Sequence, residues 1–422
     1  MNEDRQVLRE IAWQEIFPGV LLLSAWKVAI NLRALMIAAL ALLAMWLGWM
    51  GIDKTLGVQP KDSLAPKTWT GATDALDGAL ELANDPAAET WSAPPQIPRG
   101  EPFVWWNSSP MAQAWSEFTR PFMIAFSPGV TAGRVGYVLL CGLWALAVWS
   151  FAGGAITRLA AVQLTRDEKL SWGQVLSYAR SKWPSYFAAP MFPLVGVLLA
   201  AIPLAIIGLL AWAGGFGVAL TGILWPLVLC GGVVMAVLLV GLFLNWVLMW
   251  PTISTEGTDS FDALSRSYAY SFQRPLRYAA YLFVVAVIGA LVWALVMVFA
   301  SAVLRLSLWA VSWGSGSRLS ELLAGRETLQ GGNLLGVRLI HLWNGGVGLV
   351  ATGFVFSYFF SAATAVYLLL RYHIDATETD EVFMPDSDEP YGLPPLQTDV
   401  KGVVHVADAP LPGSADKVSP EG

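Results

Sequence analysis

Six blocks of the chain are long and apolar enough to cross the hydrocarbon core of a bilayer: 34–52, 135–156, 186–212, 218–250, 278–304 and 342–371. About 20 predominantly apolar residues span that core as a helix. Lipid offers a backbone no hydrogen-bond partner, so such blocks adopt the helix, which closes its own hydrogen bonds. The fold class that follows is all-α: a polytopic membrane helix bundle of about six spans, with amphipathic interfacial elbow helices. Composition agrees, since 13% of residues are charged, against about 25% in soluble domains. Many of the 21 Trp residues stand near block ends, where interfacial aromatic belts form.

The net charge of −6 comes largely from the C-terminal tail, and nothing in the body points to nucleic acid. Cys141 and Cys230 both lie inside apolar blocks and read as small core residues rather than as a disulfide or zinc framework. The first apolar block follows acidic Glu3, Asp4, Glu10 and Glu15, so it reads as an uncleaved first span. The fourth block is too long for one straight crossing; Pro226 or Gly231-Gly232 should break or tilt it, or part of it should be re-entrant. Pro190, Pro193 and Pro203 predict kinks in the third.

Lys and Arg in the short loops set orientation. The N-terminal segment 1–33 and loops 157–185 and 251–277 hold twelve of them, among them Arg158, Arg180, Lys182, Arg266, Arg274 and Arg277. The opposite short loops hold Arg305, Arg318, Arg326 and Arg338. Both termini are therefore expected in the cytoplasm of a bacterial cell, with the spans in its inner membrane. Loop 53–134 is then external. It carries a candidate helix at 73–85 and a second that starts at Ser109-Pro110, with Met111, Trp115, Phe118 and Phe122 on one face. The second reads as an amphipathic helix lying on the outer membrane surface. The tail 372–422, acidic and proline-rich from about 376, is expected to be disordered.

Between the fourth and fifth blocks stands "EGTDSFDALSRSYAYSFQRPLRYAAYLF" (256–283). Phe261, Leu264, Tyr268 and Phe272 share a helical face; Asp262 and Arg266 pair at i and i+4 on another. Pro275 ends that helix and suits the first turn of the next. The product is an elbow, 260–275, bent into a span. Residues 171–184 repeat it: Ser171 and Gln174 make a capping-box pair, Trp172, Val175, Ala179 and Trp183 match the first face, and Pro184 stands near the place of Pro275. A weaker third copy, without proline, lies at 25–35. Small residues every fourth position, Gly353, Ser357, Ser361 and Ala365, predict a close-packing seam on the last span; Gly153-Gly154, Gly232-Ala236 and Gly241 are candidates elsewhere.

Chemistry-bearing groups are sparse. The apolar cores hold no firm Asp, Glu, Lys or Arg, which weighs against ion-coupled transport. Asn245, His341 and Asn344 are the intramembrane polar candidates, read as interhelical hydrogen bonders and an interfacial side chain. No hydrolase, phosphate-loop, dinucleotide or metal motif occurs, so no catalytic, cofactor-binding or metal-binding residue is assigned and no cofactor is expected. What remains is the cluster Glu256, Asp259, Asp262, Arg266, Arg274 and Arg277. These charges either cap helices and anchor topology or form a docking surface for a lipid headgroup or a partner protein.

The stretches "GGAITRLAAVQL" (153–164), "MWPTISTEGTDSFDALSRSYAYSFQRPLRY" (249–278) and "WQEIFPGVLLL" (13–23) resemble a family of bacterial multi-pass membrane proteins of uncharacterised role. Through Glu256, Gly257, Ala263, Leu264, Arg266 and Ser267 the plan is also similar to the membrane domain attached to some glycerophosphodiester phosphodiesterases. No phosphodiesterase domain accompanies it, so the resemblance implies no activity. The expected role is a non-enzymatic scaffold or accessory that engages membrane lipid or an unidentified protein. A transporter or channel for a small neutral or amphiphilic solute is the alternative, and a membrane enzyme is placed last.

Overall fold

The computed structural model describes residues 19–58, 63–64, 109–125, 131–323, 330–378, 380–384, 396–398 and 404–406. The helix expected at 73–85 and the chain before residue 19 lie outside them. Among the described residues six helices are long and apolar enough to cross a membrane, one for each predicted block. The chain is an all-α bundle of the multi-pass membrane type.

Helix α1 (Val20–Ala29) turns at Ile30-Asn31 into α2 (Leu32–Leu56), where the Asn31 side chain accepts from the Arg33 N–H. A polar cap thus makes this elbow without proline. α3 (Pro110–Ala125) follows, then α4 (Ala132–Arg166) and α5 (Trp172–Leu209). A 3-10 turn (Leu210–Ala213) and α6 (Gly214–Ile223) close a hairpin with α7 (Trp225–Glu256). α8 (Ser260–Gln273) bends into α9 (Pro275–Ser315), and α10 (Arg318–Leu323) and α11 (Gly331–Asp375) complete the bundle. At 41 and 45 residues, α9 and α11 reach about 60 Å, twice the hydrocarbon thickness, at about 1.5 Å per residue.

The long fourth block is not one continuous helix. It divides at Leu224, with Pro226 in the first turn of α7, where a missing N–H removes no helical bond. Pro184, by contrast, does not end a helix. α5 runs unbroken through Pro184, Pro190, Pro193 and Pro203, although its capping box forms as expected: the Ser171 hydroxyl accepts from the Gln174 N–H and the Gln174 side chain from the Ser171 N–H. The two sites differ at the preceding residue. Arg274 leaves helical geometry (φ −136°, ψ 59°), whereas no residue around Pro184 does. A proline kinks or breaks a helix according to whether the surrounding packing holds the chain in line. Here Trp183 donates its indole N–H to the Ala147 carbonyl of α4 (3.1 Å), which ties α5 to α4 next to the proline.

The predicted seam on α11 is buried along its length. A side chain at Gly353 would press on the Leu35 and Ala39 backbone of α2, and the Ser357 hydroxyl donates to the Ala29 carbonyl of α1 (2.9 Å). Gly153, Gly154 and Gly241 serve differently: each receives an aromatic side chain, from Trp250, Tyr186 and Tyr268 respectively. Gly232-Ala236 packs nothing, since Gly232 meets open space and Ala236 is exposed. The composition that makes a seam had no facing helix there.

α3 does not lie on the outer surface. Ser109 caps it as predicted (Ala112 N–H to Ser109 Oγ, 3.2 Å), but the helix inserts among α4, α9 and α11. Phe118 sits edge-on to Trp149 and Trp246 at 5.5 and 5.0 Å and also touches the rings of Phe356, Phe359 and Phe360. An apolar face next to a bundle can bury itself in protein as readily as in lipid, and here aromatic partners decide.

Residues 383–422 form a separate unit. Its described residues hold an antiparallel ladder, β1 (Leu396–Thr398) on β2 (Val404–Val406), registered Leu396 with Val406. Val404 and Val406 alternate with His405, the period-two pattern that suits a strand.

Candidate docking face at the Glu256 end

Contacts gather one end of the bundle. Arg33 donates to the Leu170 carbonyl and Lys182 to that of Gly257, which brings the starts of α2 and α5 beside the end of α7. Arg371, near the end of α11, joins them through Glu256.

Glu256 is the hub. Its carboxylate accepts from Arg371 Nη1 at 2.7 Å and from the Tyr367 hydroxyl at 3.1 Å, and faces Arg266 at 3.7 Å. Arg266 in turn pairs with Asp262 at 3.0 Å, the predicted i, i+4 contact. Asp259 caps α8, accepting from the Asp262 N–H at 2.9 Å. Arg371, 3% exposed, also donates to the carbonyls of Glu378 and Glu381 and so straps the chain beyond α11 to the bundle. Val382 is buried within the same strap. Glu378 and Glu381 are therefore tied to the bundle, because their carbonyls accept from a buried guanidinium. Tyr270 bonds Asp375. Burial lifts the Tyr268 phenol to about 12, and burial with the Asp375 bond lifts Tyr270 beyond that, so both act as neutral hydroxyls.

A second polar knot lies deeper. Arg158, 2% exposed, donates to the Ser254 carbonyl at 2.7 Å and stands 4.2 Å over the Tyr178 ring. The Ser254 hydroxyl meets Thr157 at 2.6 Å and Tyr186 at 2.7 Å. Tyr178 donates to the Ile253 carbonyl at 2.9 Å and Trp250 to that of Tyr186 at 2.8 Å. The last turn of α7 is thus stitched to α4 and α5 through its own backbone.

Of the six predicted docking residues, four are spoken for inside the network: Glu256, Asp259, Asp262 and Arg266. Arg274 and Arg277 are exposed at the bend between α8 and α9 and form no ion pair among the described residues. The predicted aromatic face of α8 is divided: Phe261 is 65% and Phe272 57% exposed, whereas Leu264 and Tyr268 are half-buried, Tyr268 against Gly241, and Ala263, Ser267 and Ser271 are buried. Small residues permit close helix approach.

The intramembrane candidates do not converge. His341 is exposed and Asn344 half-buried on α11, whereas Asn245 is fully buried on α7. Among the described residues neither side-chain polar atom of Asn245 has a hydrogen-bond partner, nor does the indole N–H of neighbouring Trp246. No group of three His, Cys, Asp or Glu side chains is placed to hold a metal among the described residues.

Sequence reasoning missed Arg371, Tyr367 and the burial of Arg158. In sequence Arg158 reads as a loop cation that sets topology or meets headgroups. Arg371 follows "AVYLLL" at the end of an apolar block, where a basic residue ordinarily marks the membrane edge. The signal available was Glu256, an acid just after an apolar block, which calls for a cation it could not name.

Comparison of the chain with protein-family models, with curated proteins and with solved structures finds no match.

Proposed function

We propose that this protein is a non-enzymatic membrane scaffold or accessory that engages lipid or a partner protein at the Glu256 end. One observation supports the reading: a layer of aromatic rings packs between α3, α4, α7 and α11. Trp149 stacks on Phe356 at 4.4 Å, Trp246 on Phe359 at 5.2 Å and Trp250 on Phe360 at 5.2 Å, with Phe118 of α3 inserted among them. Close-packed rings leave no partner for a passing polar solute. The unpaired polar atoms of Asn245 favour the alternative, a path for a small neutral solute. They are, however, sealed from solvent in this conformation, and a bound water needs both room and two or more polar partners.

The excess of Lys and Arg at the Glu256 end supports a cytoplasmic placement of that end in a bacterial inner membrane. A kinship with the membrane domains attached to glycerophosphodiester phosphodiesterases rests on the Glu256-to-Ser267 motif and belongs to the same proposal. The test is solute flux. Proteoliposomes should shrink and reswell in glycerol or urea no faster than protein-free liposomes; a clear protein-dependent flux overturns the scaffold reading in favour of the transporter.

A further inference from the structure

Several cations at the Glu256 end are bonded within the bundle, while others, Arg166, Lys169 and Arg180 among them, are exposed. Arg33, Arg158 and Lys182 donate to backbone carbonyls, and Arg266 and Arg371 face carboxylates. Each is consumed in holding helices together. Arg274 and Arg277 are not; they stand exposed on either side of Pro275. Between and beside them the surface is apolar: Leu276 is 86% exposed and Phe272 57%. Phe272 stands at the end of α8 and Leu276 at the start of α9, which is a candidate span. A surface that pairs spare guanidinium groups with bare Leu and Phe at the mouth of a span fits neither water nor hydrocarbon alone. It fits the boundary between them.

We propose that the bend between α8 and α9 binds an anionic phospholipid, with its phosphate on Arg274 and Arg277 and its acyl chains along Phe272 and Leu276. This rests on the reading that the Glu256 end engages lipid or a partner, and it names the ligand. Charge complementarity selects the occupant. Guanidinium forks match phosphate oxygens bidentately, and basic side chains beside a span are drawn to anionic headgroups. The apolar neighbours select a lipid over a soluble phosphate, because only a lipid covers Leu276 while its phosphate stays in reach.

Delipidated protein in detergent is mixed with phosphatidylglycerol or phosphatidylcholine of the same chains, and retained lipid is counted by native mass spectrometry. The wild type should retain phosphatidylglycerol preferentially. The Arg274→Gln/Arg277→Gln variant should bind it about 30-fold more weakly, two basic residues' worth of headgroup attraction. Arg180→Gln, an exposed cation elsewhere on that end, should change nothing. Helical circular dichroism of each variant confirms folding, which exposed substitutions leave intact. Equal retention of the two lipids by the wild type, or equal retention of phosphatidylglycerol by wild type and double variant, overturns the proposal. Inorganic phosphate that displaces the lipid at equal concentration would also overturn it, since the acyl chains would then contribute nothing. Solute flux, measured separately, overturns the scaffold reading and leaves this site standing.

Discussion

Two glycine-to-alanine substitutions in helices should move stability in opposite directions. At Gly154 of α4 a methyl carbon would sit 2.5 Å from the Tyr186 ring edge. Carbon atoms pack at about 3.5–4.0 Å, so the ring must move by about 1 Å. It is poorly free to do so: Tyr186 is fully buried, its hydroxyl bonds Ser254 at 2.7 Å, and its carbonyl accepts from Trp250 at 2.8 Å. Overpacking of this kind costs about 1–3 kcal/mol, offset by about 1 kcal/mol of helix propensity. At Gly232 of α7 the methyl meets nothing within 4 Å, so the propensity gain of about 1 kcal/mol stands alone. The difference between the two variants isolates the packing term, about 1–3 kcal/mol. Cys141 supplies the assay, because it is buried and Cys230 is exposed. In a Cys230→Ser background, a fluorogenic maleimide lights up only when the bundle opens around Cys141 during a thermal ramp. Gly154→Ala should melt below its parent and Gly232→Ala at or above it. If Gly154→Ala melts as high as Gly232→Ala, the close approach of α4 to Tyr186 is not a stabilising contact and the reasoning fails.

Gly353→Leu and Ser357→Leu should each lower the melting temperature in detergent, since one presses on the α2 backbone and the other also loses its bond to Ala29; unchanged melting in both would remove the seam. Glu256→Ala leaves the buried Arg371 guanidinium without its carboxylate and should cost about 3–5 kcal/mol, with faster proteolysis of 376–382 as the strap loosens. Phe118→Ala should release α3 from the aromatic layer at a cost of up to about 3 kcal/mol, less than a fully buried phenylalanine because Phe118 is half-buried. Faster maleimide labelling of a cysteine placed at exposed Ser116 would register that release, and equal labelling would mean that other contacts hold α3.

The six spans, the caps at Ser109 and Ser171, the Asp262–Arg266 pair and the bend at Pro275 were all legible in the chain. Each depends on residues within a few positions of one another, so hydrophobic length and local hydrogen bonding decide it. The α11 seam was legible too, because a four-residue spacing of small side chains is itself a helix face. The same pattern at Gly232-Ala236 misled, since a face packs only if another helix arrives.

Which helix arrives was settled by the tertiary structure alone. It took α3 from the membrane surface into the aromatic layer, carried α5 unbroken through Pro184, and set Arg371 on Glu256 across 115 residues. A long-range partner leaves no mark in local spacing, and a buried guanidinium and a topological one read the same in sequence. For the docking face, the chain supplied the six charged residues. Only the fold separated the four that hold the helices from Arg274 and Arg277, because ion pairing depends on which carboxylate comes within reach.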